Sequence, residues 1–231
     1  LQIYDFFMNA FYLDIGVTHL RVGLYSGQVP INVKKTLIQD YESINNLLET
    51  NVEQDVPVLI ASTGHQNANG DWQITNGRGW IISMQDLHES RYRIETIVND
   101  LEAACRALPS LKNKDITPLL IPKKNSVPFN KHKALIGIGT GLGLSYCYDF
   151  ADGPPLIRPS CGGHMVAAPV TQEQFNICQK ISSFTSKPTI FENIISGKGL
   201  TYLYQAVTNK ACKNAKEAIK NETVSRLFHE F

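Results

Sequence analysis

Apolar and polar positions along this chain follow two periods, and the place where one gives way to the other divides it. Near the start, the β-prone run AFYL at 10–13 stops at a polar stretch, DIGVT at 14–18, before a second run at 19–25. Two such runs around a polar turn predict a hairpin. Residues 41–50 then place Ile44, Leu47 and Leu48 at the i, i+3, i+4 spacing of an amphipathic helix, and 56–61 is a short apolar run fit for a buried strand. After a polar, glycine-containing loop at 63–71, Ser83 reads as the cap of a helix start, 93–98 alternates like a strand, and 101–108 reads as a helix stopped by Pro109. A further strand is expected at 116–121. The last quarter changes to a helical period, with helices expected at 172–184, 191–195, 200–207 and 213–231. Strands alternating with helices predict an α/β protein.

Between the two regimes lies ALIGIGTGLGLSYCY at 134–148, with Gly137, Gly139, Gly141 and Gly143 at every second position. Glycines this close together serve the backbone: without Cβ atoms the chain comes near a ligand, and its N–H groups can converge on an anion such as phosphate. The hydroxyl of Thr140 adds to such a cradle. Leu142 stands where the third glycine of G-x-G-x-x-G belongs, and the flanking residues alternate on both sides, so the segment predicts a strand-glycine-strand hairpin. The same pattern also suits a hairpin with no ligand.

Other polar residues sit at turns and element ends. In the first hairpin, Asp14 is an acceptor able to hold a metal-bound water, while the Gly16 backbone and the Thr18 hydroxyl can donate to phosphate; an Asp-Gly turn with no ligand reads equally well. Asn76 beside Trp80 is a ligand-facing amide or a loop residue, and Trp80 itself suits a core. Asn99 and Asp100 stand where a strand closes and a helix opens; an Asp there suits a cap, but strand ends also face the ligand crevice of an open α/β sheet, where Asp100 could take a proton from a bound hydroxyl. His164, after two glycines, is a poor metal ligand and a fair hydrogen-bonding residue. Cys161 has no basic partner in sequence, and spacing does not settle whether Glu192 faces solvent or a cleft. S-G-K-G at 196–199 lacks the upstream glycine and the closing Ser or Thr of a P-loop.

Composition narrows the reading. The chain has 231 residues, 43% of them hydrophobic, and a net charge of +1, which advertises neither a nucleic-acid surface nor a membrane patch. Its five scattered cysteines lack any C-x-x-C pair and read as reduced thiols of a cytoplasmic protein. Asp5 and Asn9 interrupt the N-terminal segment, which reads as neither signal peptide nor membrane span, with residues 1–7 as an unstructured lead-in.

In this order the motifs resemble the bacterial hexokinase-type glucokinases of the sugar kinase, Hsp70 and actin superfamily. LDIGVTHLRVGL is similar to the family's first phosphate motif, VNDLEAACRALPSL to the strand-to-helix segment with the catalytic Asp, IGIGTGLGLS to the second phosphate motif, CGGHMVAAP to the sugar-binding loop and FENIISGKGLTYLY to the sugar-contact helix after it. The resemblance implies an RNase H-like (actin-like ATPase) α/β lobe over 8–100 and a second α/β lobe with a helical C-terminal part over 101–231. It implies ATP-dependent phosphorylation of glucose, or a related hexose, at the 6-hydroxyl with magnesium. By position, Asp100 would be the general base, Asn76, Asn99, His164 and Glu192 would hold the sugar, and Asp14, Gly16, Thr18, Gly139, Thr140 and Gly141 would handle phosphates and the metal.

There are three departures. Cys161 replaces the glutamate that opens the family's E-G-G-H loop, removing a charged acceptor worth about 1.5 to 3 kcal/mol. Val17 replaces the second glycine of D-x-G-G-T. The family's chain also continues into a glycine-rich segment that seats adenosine, whereas 200–231 contains no glycine. The resemblance thus implies either a fragment of a longer kinase or a shortened homologue, whose second lobe would expose helix faces unless it pairs with a second copy or another segment. A sugar- or partner-binding relic of the fold, impaired in catalysis, is the competing expectation. The zinc-binding cysteine cluster of the related repressors is missing, which favours the glucokinase branch.

Overall fold

The computed structural model describes residues 9–26, 29–75, 78–83, 85, 91–119, 132–148 and 155–231. The expectations for the N-terminal lead-in, for Asn76 and for most of the helix after Ser83 lie outside the described residues; of that helix only Gln85 is described, its N–H donating to the Ser83 hydroxyl at 3.2 Å. The chain forms two compact units, one drawn from Leu1–Lys131 and Tyr148–Ile157, the other from His132–Cys147 and Arg158–Phe231.

The first unit is built on a five-stranded sheet. The predicted hairpin is β1 (Asn9–Ile15) and β2 (His19–Ser26), continued by β3 (Val29–Leu37). The chain then enters α1 (Ile44–Asn51), capped by the Ser43 hydroxyl, which accepts from Asn46 N at 3.1 Å, and returns through β4 (Val58–Ser62). The short strands β5 (Gly64–Gln66), β6 (Trp72–Ile74) and β7 (Ile81–Ile82) make a separate antiparallel sheet, and β8 (Ile94–Asn99) leads directly into α2 (Asp100–Ala107). The main sheet runs β3-β2-β1-β4-β8, with β2 antiparallel to both neighbours and β4 parallel to both of its own. This is the expected RNase H-like arrangement. Alternation drives it: Leu13 and Ile15 of β1, Leu20 of β2 and Val58 and Ile60 of β4 all lie at or below 1% exposure and share one core with Leu47 and Leu48 of α1. Trp80 is buried in this core, as its position suggested.

In the second unit, β9 (Lys133–Ile138) and β10 (Leu142–Tyr148) form the glycine hairpin, and β11 (Leu156–Ser160) pairs on the far side of β10. Four helices follow: α3 (Gln172–Thr185), α4 (Gly197–Thr208), α5 (Ala215–Ala218) and α6 (Glu222–Glu230). Ile177 and Ile181 of α3, Leu203 and Ala206 of α4, and Val224 and Leu227 of α6 form their core. Buried Gln174 ties it together: its Oε1 accepts from Val170 N and Thr171 N at the start of α3, and its Nε2 donates to Glu230 O at 3.1 Å.

Three expectations are corrected. Residues 116–119, the described part of the strand expected at 116–121, are exposed and not in a strand. The helix expected at 213–231 is two helices, because the side chain of Asn221 turns back to accept from Val224 N and starts α6 afresh, as Asn214 starts α5. The helix expected at 191–195 is a single 3-10 turn, Phe191–Asn193, which ends where Ile194 leaves helical geometry at φ −122° and ψ −58°. All five cysteines are free thiols, and no described helix is long and apolar enough to cross a membrane.

Candidate functional site

In the first unit, strand register assembles the polar residues. Ile15 pairs with Ser62 and Ser62 with Asn99, so the carboxyl ends of β1, β4 and β8 lie in line, and Asp14 and Asp100 flank that line at one end of the sheet. Strand ends of this kind form the ligand crevice of open α/β sheets. Asp100 is the first residue of α2, and its Oδ1 accepts from Leu101 N at 2.9 Å. Burial raises its pKa above the ordinary carboxylate value; the Leu101 N–H opposes the shift and the negative charge of Asp14 adds to it. A carboxylate shifted in this direction is a better proton acceptor than an exposed one.

Asn99 is more committed than expected. Its Oδ1 caps α2 by accepting from Leu101 N at 3.0 Å and Glu102 N at 3.3 Å, and its Nδ2 donates to Gly64 O at 3.3 Å. The side chain that was expected to hold sugar therefore also fixes the geometry of Asp100. The small sheet backs the same strand ends, with Trp72 Nε1 donating to the buried Ser62 hydroxyl at 2.6 Å.

At the turn expected to handle phosphate, Asp14 is partly exposed and paired at 2.5 Å with Arg21, its register partner on β2. Sequence reasoning passed over Arg21; the alternation of the hairpin, folded back across 16–18, was the signal that could have found it. The Gly16 N–H, expected to donate to phosphate, instead donates to His19 O at 3.0 Å and closes the turn. Thr18 is exposed, and its hydroxyl has no partner among the described residues.

In the second unit, the hairpin turn Gly139–Thr140–Gly141 packs against the start of α4. Gly139 N donates to Gly141 O at 2.9 Å, and Gly197 N donates to Gly139 O at 2.8 Å. The Gly139 N–H, expected to face an anion, is thus spent within the turn; Thr140 and Gly141 keep N–H groups that meet no protein acceptor among the described residues. The C-G-G-H loop forms a 3-10 turn, Gly162–His164, laid flat on β10, and a Cβ at Gly163 would stand 2.1 Å from Leu142 O. Only glycine allows that approach. The fold also brings His164 and Glu192 together: His164 Nε2 lies 4.0 Å from Glu192 Oε1, while Glu192 Oε2 accepts from Leu142 N at 2.9 Å. Cys161 opens the loop and is exposed. The expected residues therefore gather as Asp14, Thr18, Asn99 and Asp100 in one unit and Gly139, Thr140, Gly141, His164 and Glu192 in the other. No cluster of three or more His, Cys, Asp or Glu side chains suited to a metal occurs among the described residues.

The glucokinase family model matches residues 12–230. A glucokinase of Escherichia fergusonii is 29% identical over 223 residues, 92% of this chain and 66% of the relative. One from Enterobacter sp. (strain 638) is 31% identical over 205 residues, 84% of this chain and 60% of the relative. The chain thus spans 60 to 66% of the length of these relatives. Among solved structures, a glucokinase of Balamuthia mandrillaris in complex with glucose is similar with a TM-score of 0.70 and 20% identity, covering 99% of this chain and 73% of that one. A glucokinase from an Antarctic psychrotroph gives 0.66 and 22%, covering 97% and 74%. At these identities the two structures speak to the fold alone.

Proposed function

The chain belongs to the glucokinase family, and we propose that it transfers the terminal phosphoryl group of ATP to the 6-hydroxyl of glucose. The observation that carries the reading is the placement of Asp100: a half-buried carboxylate with a raised pKa, on the first residue of a helix, at the aligned carboxyl ends of three parallel strands.

In this reading the Asp100 carboxylate accepts the proton of the 6-hydroxyl as that oxygen attacks the terminal phosphorus. The new O–P bond forms while the bond from phosphorus to the bridging oxygen breaks, and the leaving ADP carries away the electron pair. Such transfers depend on positioning and charge stabilisation more than on covalent chemistry, so one well-placed carboxylate suffices as base. Within the second unit, His164 and Glu192 suit sugar hydroxyls, and the unengaged N–H groups of Thr140 and Gly141 suit phosphate oxygens. Within the first, Asn99 suits a sugar hydroxyl and the exposed Thr18 hydroxyl a phosphate oxygen. Magnesium needs only one or two protein carboxylates beside the phosphates, and Asp14, with its outer face exposed, fits that requirement. When bound, the ion neutralises phosphate charge; Arg21 holds Asp14 in place for it. The free state of all five thiols supports a reducing, cytoplasmic setting.

The test is calorimetric titration of glucose. Heat of binding that is lost on His164→Ala supports the reading, and a flat titration at millimolar glucose contradicts it.

A further inference from the structure

Glu192 touches the glycine hairpin as well as the sugar loop. Its Oε2 accepts from Leu142 N at 2.9 Å, the first N–H of β10 beyond the turn. A Cβ built on Gly141 would lie 2.6 Å from Glu192 Oε2, 3.3 Å from its Cδ and 3.9 Å from its Oε1, and those are the nearest atoms it would meet. Gly141 is not among the described residues with positive φ, so the turn itself would accept a side chain there. What a side chain at 141 would displace is the carboxylate. The Glu192 backbone cannot simply retreat, because its carbonyl accepts from the buried Ser196 hydroxyl at 2.7 Å and Asn193 Oδ1 holds Ile190 N at 3.1 Å. The second oxygen, Oε1, faces His164 and keeps the side chain about one-third exposed.

We infer that Gly141 and the Leu142 N–H position Glu192, so that the tip of the phosphate hairpin is a determinant of sugar affinity. One carboxylate oxygen is bound by the hairpin and the other is left for the sugar. A change at the tip therefore reaches the sugar through Glu192, and a sugar bound to Glu192 reaches the Leu142 amide by the same route. The inference rests on the proposed sugar-kinase reading.

The experiment is calorimetric titration of glucose, without any phosphoryl donor, into the unsubstituted chain and into Gly141→Ala, Glu192→Ala and the double variant Gly141→Ala/Glu192→Ala. Gly141→Ala is expected to weaken glucose binding about tenfold, the scale of a lost hydrogen bond to a charged group. Because Gly141 acts through Glu192, the double variant binds as weakly as Glu192→Ala and no weaker. In a parallel NMR titration of the unsubstituted chain, which needs no variant to fold, glucose shifts the Leu142 amide resonance. Parent-like affinity in Gly141→Ala, additive losses in the double variant, or a Leu142 amide that stays put at saturating glucose would each overturn the inference. A flat titration of the unsubstituted chain would instead remove the sugar-kinase reading, and the inference with it.

Discussion

Gly163→Ala puts the close packing of the C-G-G-H loop, proposed to hold the sugar, to the test. The added Cβ would stand 2.1 Å from Leu142 O and 3.0 Å from Leu142 C, whereas ordinary contact begins at 3.4 Å, so atoms must separate by about 1.3 Å along that direction. Leu142 lies in β10, paired with Ile138 across the hairpin, and its N–H is bound by Glu192. The loop is the softer partner. It moves as a turn, since His164 N donates to Cys161 O at 2.8 Å and Met165 N to Gly162 O at 3.2 Å, and it carries His164 with it. A misplacement of about 1 Å at a positioning group costs on the order of a hundredfold in rate. Steady-state glucose phosphorylation should therefore show kcat/KM about a hundredfold lower in Gly163→Ala. Gly162→Ala should cost less, because its Cβ meets mainly the mobile end of the Leu144 side chain, at 2.4 Å. Parent-like kcat/KM for Gly163→Ala, or a larger loss for Gly162→Ala, would refute the reasoning.

Three further outcomes are expected. The folded chain binds the Asp100 proton more tightly than the unfolded chain does, so this group costs stability as pH rises through its raised pKa; Asp100→Asn should unfold no earlier than the parent at neutral pH in a thermal scan, with the difference shrinking as pH falls. Cys161→Glu restores a charged acceptor at the mouth of the loop and should tighten glucose binding about tenfold or more by calorimetry, an unchanged affinity meaning that the loop does not reach the sugar. Leu203→Ala empties a fully buried site in α4 and should lower the denaturant-unfolding free energy by about 2 to 5 kcal/mol.

Much of the fold was legible where strands and helices carry one buried face. The β-prone runs at 10–13 and 19–25 around a polar turn gave β1 and β2, and Ile44, Leu47 and Leu48 at helical spacing gave α1. β3 escaped because it is an edge strand whose residues 30–36 are almost all exposed, so no buried face marks it, and Pro30 argued against it. β11 escaped for a similar reason, with Ile157 its only buried residue. At the candidate site, Asp100 was legible from its strand-to-helix position. The tie between Glu192 and Leu142 was not, since its donor is a backbone amide 50 residues away and carries no residue signature. Asn99 shows a third case: it caps the helix that follows it, whereas the expectation from the sequence put the cap on Asp100 and took the sugar role of Asn99 from the family resemblance.

Formation of glucose 6-phosphate from glucose, ATP and magnesium, measured on this chain beside its Asp100→Asn variant, tests the central claim most directly. The account predicts product from the unsubstituted chain and a loss of about 10² to 10⁴ in kcat for the variant, with glucose affinity retained. No product from the unsubstituted chain, or equal turnover by the two, would contradict it.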